Sequence, residues 1–260
     1  MIRDLGRFFD ELERWAYAAG VPATTHRYGP DPEHEADLRL PAGPGPFPVA
    51  VVLHGGFWRP EFTREIMSAV AVALTRTGWA TWNVEYRRLG TGGGIPQTLD
   101  DVQAAVRALE RLDAPVERRR PVALGHSAGG QLALWLGGGR SVAAAVGLAA
   151  VCDLAAAALE GLGAGAATEL TGGMPGAVSD AYALADPITR LPVGVRQILL
   201  HGDRDDRVPI TQSRTYAERA RTCGDACELV ELRGAGHFEL IDPRTPEWSA
   251  VDAALAKLRP

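Results

Sequence analysis

The chain has 260 residues, 46% of them hydrophobic, which is enough apolar material for one large core. Its formal net charge is −5, with 27 basic residues dispersed among 32 acidic ones, and this balance excludes the basic surface that a nucleic-acid-binding protein needs. The three cysteines form no CxxC pair, so neither a disulfide framework nor a metal site is expected.

The first 20 residues predict a surface helix. Their apolar side chains recur at helical spacing, at Leu5, Phe8, Phe9, Leu12, Trp15 and Ala16. A helix that lines a substrate entrance is the alternative. The segment lacks the apolar stretch of a signal peptide, and the chain has no run of 18 apolar residues. We therefore expect a cytoplasmic protein that does not associate with a membrane.

Strand and helix patterns then alternate along the chain. Strands are predicted at 36–40, 49–53, 80–85, 122–125, 142–149, 198–201 and 229–232. Helices are predicted at 61–76, 99–112, 128–136, 209–221 and 248–258. Alternation at this spacing predicts an α/β fold, in which helices cover both faces of a mostly parallel sheet and functional residues follow the carboxyl ends of strands.

The alternation is interrupted between residues 153 and 190 by an Ala/Gly-rich stretch. Leucines still recur in it, which indicates an insertion that packs over the sheet rather than a linker. We therefore expect one domain of residues 1–260. The insertion is a candidate lid, and a pair of short helices that merely pack is the alternative.

A candidate nucleophile follows the strand predicted at 122–125. Residues 125–129 read GHSAG and match GxSxG, directly between a predicted strand and a predicted helix. In that context the motif forms a sharp turn that exposes the serine, and the flanking glycines avoid steric clashes. Ser127 is therefore the predicted nucleophile, and a serine that only caps a helix is the alternative.

A serine nucleophile needs a base and an orienting carboxylate, which in this architecture follow it in the order acid, then base. His237 is the only histidine after the acidic cluster and is predicted as the base. Asp205 is the favoured acid, Asp206 is the second choice, and Asp203 is expected to be a turn residue. His126 and His201 are expected to be structural.

These motifs resemble those of the α/β-hydrolase superfamily from about residue 27 to the end. The stretch HGDRDDRVP at 201–209 resembles the acid loop of serine esterases and prolyl-oligopeptidase-like enzymes, and this resemblance supports Asp205. Tyr28-Gly29, HGGFW at 54–58, EYR at 85–87 and GHSAGG resemble the kynurenine formamidase and carboxylesterase branch, with Phe57 where tyrosine is usual.

The resemblance also implies an oxyanion hole, formed by the backbone N–H groups of Gly56, Phe57 and Ala128. His54, which precedes the glycines of the HGGFW turn, is expected to orient this turn by a side-chain hydrogen bond. A role as an alternative base is the second interpretation. Trp58 and Tyr86 are candidate substrate-binding residues. Each has an alternative: Trp58 as an anchor of the turn on the core, and residues 85–87 as a buried ion-pair segment.

The sequence thus predicts a cofactor-free, metal-free serine hydrolase that forms an acyl-enzyme on a small ester or an aryl formamide. N-formylkynurenine hydrolysis and carboxylesterase activity on small acyl esters are the two specific hypotheses. The alternative from another class is a non-enzymatic binding module on a hydrolase scaffold. The expected partner is a small-molecule ester or amide, and the sequence leaves the oligomeric state open.

Overall fold

The central sheet lies within residues 5–259, the part of the chain that a computed structural model describes. Its strands are β1 (Thr24–Arg27), β2 (Glu35–Arg39), β3 (Val49–Leu53), β4 (Ala80–Val84), β5 (Val122–His126), β6 (Ala144–Leu148), β7 (Arg196–Gly202) and β8 (Cys227–Leu232). They are ordered β1-β2-β4-β3-β5-β6-β7-β8. Strands β3 to β8 run parallel, and β2 and β1 extend the sheet as antiparallel strands beyond β4.

Helices connect and cover the strands. They are α1 (Leu5–Ala18), α2 (Ser68–Arg76), α3 (Gln97–Ala108), α4 (Ala128–Gly138), α5 (Leu154–Leu159), α6 (Leu162–Thr171), α7 (Ser179–Ala185), α8 (Thr211–Thr222) and α9 (Trp248–Ala256). Short 3-10 helices span Arg64–Met67, Leu109–Arg111, Pro187–Arg190 and Glu239–Ile241.

The sequence of β3, VAVVL, explains why the sheet has a core on each face. All of its residues are buried, and successive side chains of a strand point to opposite faces. Val51 and Leu53 pack in one apolar cluster with residues of α3 and α4, whereas Ala50 and Val52 pack in another with residues of α2 and α9. The predicted fold, a mostly parallel sheet with helices on both faces, is confirmed.

Two local differences from the predicted elements have physical causes. Strand β1 was not predicted because its sequence TTHR is polar and mostly exposed; its strand geometry comes from pairing with β2. The helix predicted from residue 61 becomes a regular α-helix only at Ser68. The preceding backbone at Arg64 is instead tied to the sheet, since its N–H donates to Glu85 and its carbonyl accepts from Asn83.

The N-terminal helix packs on the body of the protein. Leu12 and Ala16 of α1 are buried against Ala69 and Val72 of α2, as an amphipathic surface helix requires. The first four residues of the predicted N-terminal segment lie outside the described residues.

The insertion between β6 and β7 contains α5, α6, α7 and a 3-10 helix. Within the insertion, the side chains of Leu154 and Leu170 are buried, whereas Leu159 is 72% exposed. At the start of α6 the backbone turns left-handed, with positive φ at Gly163, Ala164 and Gly165. That this insertion acts as a lid stays a prediction.

Candidate active site

Ser127 lies in a strained turn between β5 and α4. Its φ is 55° and its ψ is −117°, a conformation that non-glycine residues adopt only where the surrounding structure enforces it. The Ser127 N–H donates to the Leu148 carbonyl across the sheet, at 2.8 Å. The turn therefore holds the serine at the carboxyl end of β5.

The glycines of the GHSAGG motif are required by close backbone contacts around this turn. A Cβ on Gly125 would lie 1.9 Å from the Gly129 carbonyl oxygen, and one on Gly129 would lie 2.2 Å from the Leu53 carbonyl oxygen. A side chain at either position would separate β5 from α4 or α4 from β3. The steric role that the motif predicts for these glycines is present in the structure.

Asp205 and His237 form a buried pair. Their side chains are 0% and 4% exposed, and His237 Nδ1 lies 2.7 Å from Asp205 Oδ2. Asp205 Oδ1 accepts hydrogen bonds from the N–H groups of Arg207 and Val208, each at 2.8 Å. The loop after β7 thus fixes the carboxylate, and the carboxylate fixes the imidazole.

The surroundings of Asp205 favour its ionised form. Burial alone would raise the pKa of the carboxyl group, but hydrogen bonds from His201 and His237 outweigh it and hold the pKa well below its usual range. A charged carboxylate next to Nδ1 places the proton on that nitrogen and leaves Nε2 as the basic site.

His237 lies beside the residue that precedes Ser127. The rings of His126 and His237 have centroids 4.5 Å apart, and His126 Nε2 donates to the His237 carbonyl at 2.9 Å. Ser127, Asp205 and His237 are therefore gathered at one edge of the sheet. Within residues 5–259, however, the Ser127 hydroxyl has no hydrogen bond to His237, a bond that in free enzymes often tightens only when substrate binds.

The other two aspartates of the acid loop lie apart from His237. Asp206 is exposed and pairs with Arg207 at 3.5 Å. Asp203 is also exposed and accepts a hydrogen bond from the Gly234 N–H, as a turn residue would. The structure thus places Asp205, and neither neighbour, against the imidazole.

The HGGFW turn after β3 lies against Ser127. A Cβ on Gly55 would lie 3.0 Å from the Ser127 Cβ, and Gly56, Phe57 and Trp58 all have positive φ. In the described part of the chain, the N–H groups of Gly56, Phe57 and Ala128 donate to no protein acceptor. Free N–H groups next to the serine are what an oxyanion hole needs.

Phe57 also contacts the insertion. A Cβ on Gly163 would lie 2.4 Å from the Phe57 ring, so the glycine allows the ring to pack beneath α6. The next polar residue, Arg59, pairs with Glu169 at 2.5 Å. The turn and the insertion are therefore in contact at two places.

The two candidate substrate-binding residues are buried. Trp58 is 1% exposed and packs in the core, and Tyr86 is 0% exposed. The Tyr86 hydroxyl donates to the His54 carbonyl at 2.7 Å. Both side chains therefore support the turn from beneath, and contact with substrate stays a prediction for them.

The remaining histidines hold loops. His201 bonds to the Ser213 hydroxyl at 2.7 Å and to the Val208 carbonyl at 2.9 Å. Burial lowers the pKa of His126 to about 3, so this ring is neutral. His54 is bonded to Gly55 O at 2.9 Å and to Glu85 at 3.0 Å, in agreement with the expected orienting hydrogen bond.

Sequence reasoning did not identify the partners of Glu85. Its carboxylate contacts His54 and Arg88, each at 3.0 Å, and accepts from the Arg64 N–H at 2.9 Å. A buried ion-pair segment is one interpretation of residues 85–87 from the sequence, but His54 and Arg64 lie 31 and 21 positions from Glu85 and leave no local signal. Arg87 forms a separate pair with Asp101 at 2.6 Å.

Residues 5–259 contain neither a metal-binding cluster nor a membrane-spanning helix. No cluster of three or more His, Cys, Asp or Glu residues there could hold a metal ion. In the same residues, every helix is too short or too polar to cross a membrane.

Comparison with known proteins gives a family and relatives. The BD-FAE family model matches residues 36–219. "Esterase LipC" of Mycobacterium tuberculosis is 29% identical over 245 residues, which cover 83% of this chain and 59% of that protein. The chain therefore spans somewhat more than half the length of this curated relative.

Solved structures share the fold. Esterase B of Lactobacillus rhamnosis has a TM-score of 0.81 at 17% identity, covering 96% of this chain and 90% of its own. A truncated carbohydrate esterase from gut microbiota has a TM-score of 0.79 at 19% identity, covering 90% and 95%. Esterase 2 of Thermogutta terrifontis, phosphoramylated by tabun, has a TM-score of 0.73 at 21% identity, covering 91% and 94%. These likenesses establish an α/β-hydrolase fold.

Proposed function

The chain belongs to the BD-FAE family, and we propose that it is a serine carboxylesterase that hydrolyses small esters through an acyl-enzyme. One observation carries the proposal: the buried Asp205–His237 hydrogen bond of 2.7 Å lies at the same sheet edge as Ser127. The names of the proteins described above, all esterases, support this reaction.

In the proposed first half-reaction, Ser127 Oγ attacks the ester carbonyl carbon while its proton passes to His237 Nε2. Asp205 holds the imidazole by Nδ1 and stabilises the imidazolium that forms. When the tetrahedral intermediate collapses, the bond to the alcohol oxygen breaks and His237 returns the proton to the leaving alcohol. The acyl group remains on Ser127.

The second half-reaction repeats these roles with water. His237 Nε2 removes a proton from the water molecule as its oxygen attacks the acyl carbon, and Ser127 then leaves with that proton. The product is the carboxylic acid. In both halves the N–H groups of Gly56, Phe57 and Ala128 stabilise the negative oxygen more strongly than the neutral carbonyl, which lowers the barrier.

Formamide hydrolysis is the second candidate, favoured by the HGGFW motif and its free N–H groups. The same steps would release an amine in place of the alcohol. None of the proteins compared above carries the name of a formamidase. We therefore rank the ester reaction first.

A substrate panel on the purified chain separates the candidates. We expect turnover of p-nitrophenyl acetate and butyrate, and measure N-formylkynurenine hydrolysis in parallel. Ester turnover without formamide turnover rejects the formamidase hypothesis. Turnover of N-formylkynurenine without ester turnover rejects the proposed carboxylesterase activity.

Ser127→Ala is the variant that tests the nucleophile, with an expected fall in ester turnover of about 10⁴-fold or more. Ser249→Ala is the matched control, because its exposed hydroxyl, among residues 5–259, bonds only to the Pro246 carbonyl just before α9. Equal turnover by the wild type and Ser127→Ala would assign the nucleophile to another residue, and absence of turnover in the wild type would favour the non-enzymatic alternative.

A further inference from the structure

His54 lies between two hydrogen-bond acceptors. Its ring is 0% exposed; Nδ1 lies 2.9 Å from the Gly55 carbonyl oxygen, and Nε2 lies 3.0 Å from Glu85 Oε1. A neutral imidazole has one N–H and one lone pair, so it can satisfy only one of these contacts. An imidazolium has two N–H groups and satisfies both.

The third polar neighbour of the ring does not change this count. The Tyr86 hydroxyl lies 3.5 Å from Nδ1, but its proton is donated to the His54 carbonyl at 2.7 Å. Toward Nδ1 it therefore presents a lone pair. The Tyr86 ring also stacks on the His54 ring, with centroids 4.2 Å apart and planes within 8°, a contact that favours a cation.

The charges around His54 balance when the ring is a cation. Glu85 and Glu33 are the carboxylates, and Arg88, 3% exposed, lies 3.0 Å from the first and 2.5 Å from the second. Glu33 is 23% exposed, but Glu85 is 3% exposed, so the part of the Glu85 charge that the shared Arg88 does not compensate lies in a buried place, which is costly. The guanidinium of Arg64 is engaged by Glu35 and Asp37, and His126 is neutral.

A second buried histidine in the protein has the opposite pattern. His34 Nε2 lies 2.8 Å from Asp101 Oδ1, but its Nδ1 accepts from the Asp31 N–H at 3.3 Å. One acceptor and one donor suit a neutral ring. His34 therefore serves as an internal reference for the charge of His54.

The bond from His54 Nδ1 to Gly55 O acts on one peptide unit, which joins Gly55 to Gly56. In a trans peptide the C=O and N–H groups point in opposite directions, so fixing the carbonyl also fixes the Gly56 N–H. Neither residue has a Cβ that would resist rotation of this unit. The hydrogen bond thus sets the direction of one of the free N–H groups beside Ser127.

We propose that His54 is a permanent imidazolium, held charged by Glu85, and that this pair is a positioning device for the Gly56 N–H of the oxyanion hole. The functional part of this inference rests on the proposed hydrolase activity. The charge state of His54 does not, and it can be measured separately.

The test of the charge state is the two-bond ¹H–¹⁵N spectrum of ¹⁵N-histidine-labelled protein at pH 8, which distinguishes imidazolium from neutral rings. His54 is assigned by the signals that disappear in His54→Gln. We expect both of its ring nitrogens to carry protons in the wild type, and His34 to carry one. A neutral pattern for His54 in the wild type overturns the proposal, whether or not the protein hydrolyses esters.

The test of the positioning role is Glu85→Gln, which keeps an oxygen toward His54 but removes the charge. We expect a neutral His54 spectrum and a kcat on p-nitrophenyl acetate lower by about 10-fold to 10²-fold, less than the loss of a whole donor, with KM changed by less than about threefold. Glu33→Gln is the control, because it removes a carboxylate from Arg88 without touching His54, and it should leave kcat within about twofold.

An unchanged kcat in a folded Glu85→Gln protein overturns the positioning role. An equal loss of kcat in Glu33→Gln also overturns it, since the effect would then belong to the ion-pair network as a whole. Absence of ester turnover in the wild type itself would reject the proposed function, and the His54 spectrum would still decide the charge state.

Discussion

Two buried histidine–carboxylate pairs, His237–Asp205 and His54–Glu85, lie on either side of Ser127 and differ in the second ring nitrogen. In each pair one nitrogen lies within 3.0 Å of a carboxylate. His54 uses its other nitrogen to contact the Gly55 carbonyl at 2.9 Å. Within residues 5–259, His237 Nε2 has no protein partner. The contrast indicates that the carboxylate alone does not decide what a histidine does.

The neighbour of the second nitrogen decides the role. A nitrogen that is free can take and return a proton, as a general base must. A nitrogen that is bonded to a carbonyl cannot, but it can hold a peptide unit in place. One pair is thus suited to proton transfer and the other to fixing the geometry of the HGGFW turn.

Asp205→Asn removes the charge from the first pair and should have the largest effect. The amide can hold the imidazole in the wrong tautomer, so we expect kcat to fall by about 10⁴-fold. Steady-state kinetics on p-nitrophenyl acetate measure this loss. Asp206→Asn, one position away and exposed, is the matched variant and should stay within about threefold; the reverse order of effects would assign the acid to Asp206.

Gly56→Ala acts on the peptide that the second pair holds, and should have the next largest effect. The residue has a φ of +100°, and its Cβ would lie 2.4 Å from the Phe62 Cβ, so the turn must shift. A displaced donor lowers kcat by about 10²–10³-fold. Gly43 also has a positive φ, +112°, but a Cβ there would have no atom of residues 5–259 within 4 Å beyond its chain neighbours. Gly43→Ala should therefore lower stability and leave kcat unchanged. Equal kcat values for the two variants would show that the Gly56 N–H does not contribute to catalysis.

Asp186 is a buried carboxylate that, unlike Asp205 and Glu85, has no histidine partner among residues 5–259 to keep it ionised. Burial raises its pKa to about 7, and Oδ1 has no hydrogen-bond partner in the described residues. Its ordinary pKa is about 4, so between pH 4 and pH 7 the folded state binds more protons than the unfolded state. The contribution of Asp186 to the free energy of unfolding therefore falls as pH rises through this range.

We expect Asp186→Asn to lack this pH dependence. The wild type should lose about 3 kcal/mol of unfolding free energy between pH 4 and pH 7 relative to the variant. Urea denaturation of both proteins at the two pH values measures the difference. If the free energy of unfolding changed equally in the two proteins between pH 4 and pH 7, the pKa of Asp186 would not be raised by folding.

The parts of the site that the sequence predicts are those fixed by local sterics. Gly125 and Gly129 are needed because backbone atoms approach closely, and Gly56 is needed because its φ is +100° and Phe62 lies next to it. Steric requirements of this kind appear in the sequence as glycine motifs. The pairing of Glu85 with His54 leaves none, since it joins the ends of two strands 31 positions apart. The same holds for β1, whose polar residues become a strand only through pairing with β2.

The insertion shows a further limit of prediction from sequence. Its Ala/Gly-rich composition indicates an insertion over the sheet but not the left-handed turn at Gly163, where the Phe57 ring leaves no room for a Cβ. The position of Asp205 on the loop favours it over Asp206 and the resemblance supports it, but both residues follow the same strand, so the sequence does not show which one contacts the imidazole. Only the path of the loop places Asp205 against His237.

The most direct test of the central claim, that Ser127 is the nucleophile activated by His237, is covalent labelling with a fluorophosphonate. Intact mass and peptide mapping should show one adduct per wild-type chain, on Ser127, and none on Ser127→Ala. Labelling should slow strongly in Asp205→Asn and remain at the wild-type rate in Asp206→Asn. Equal labelling of the wild type and Ser127→Ala, or an adduct on another residue, would contradict the account.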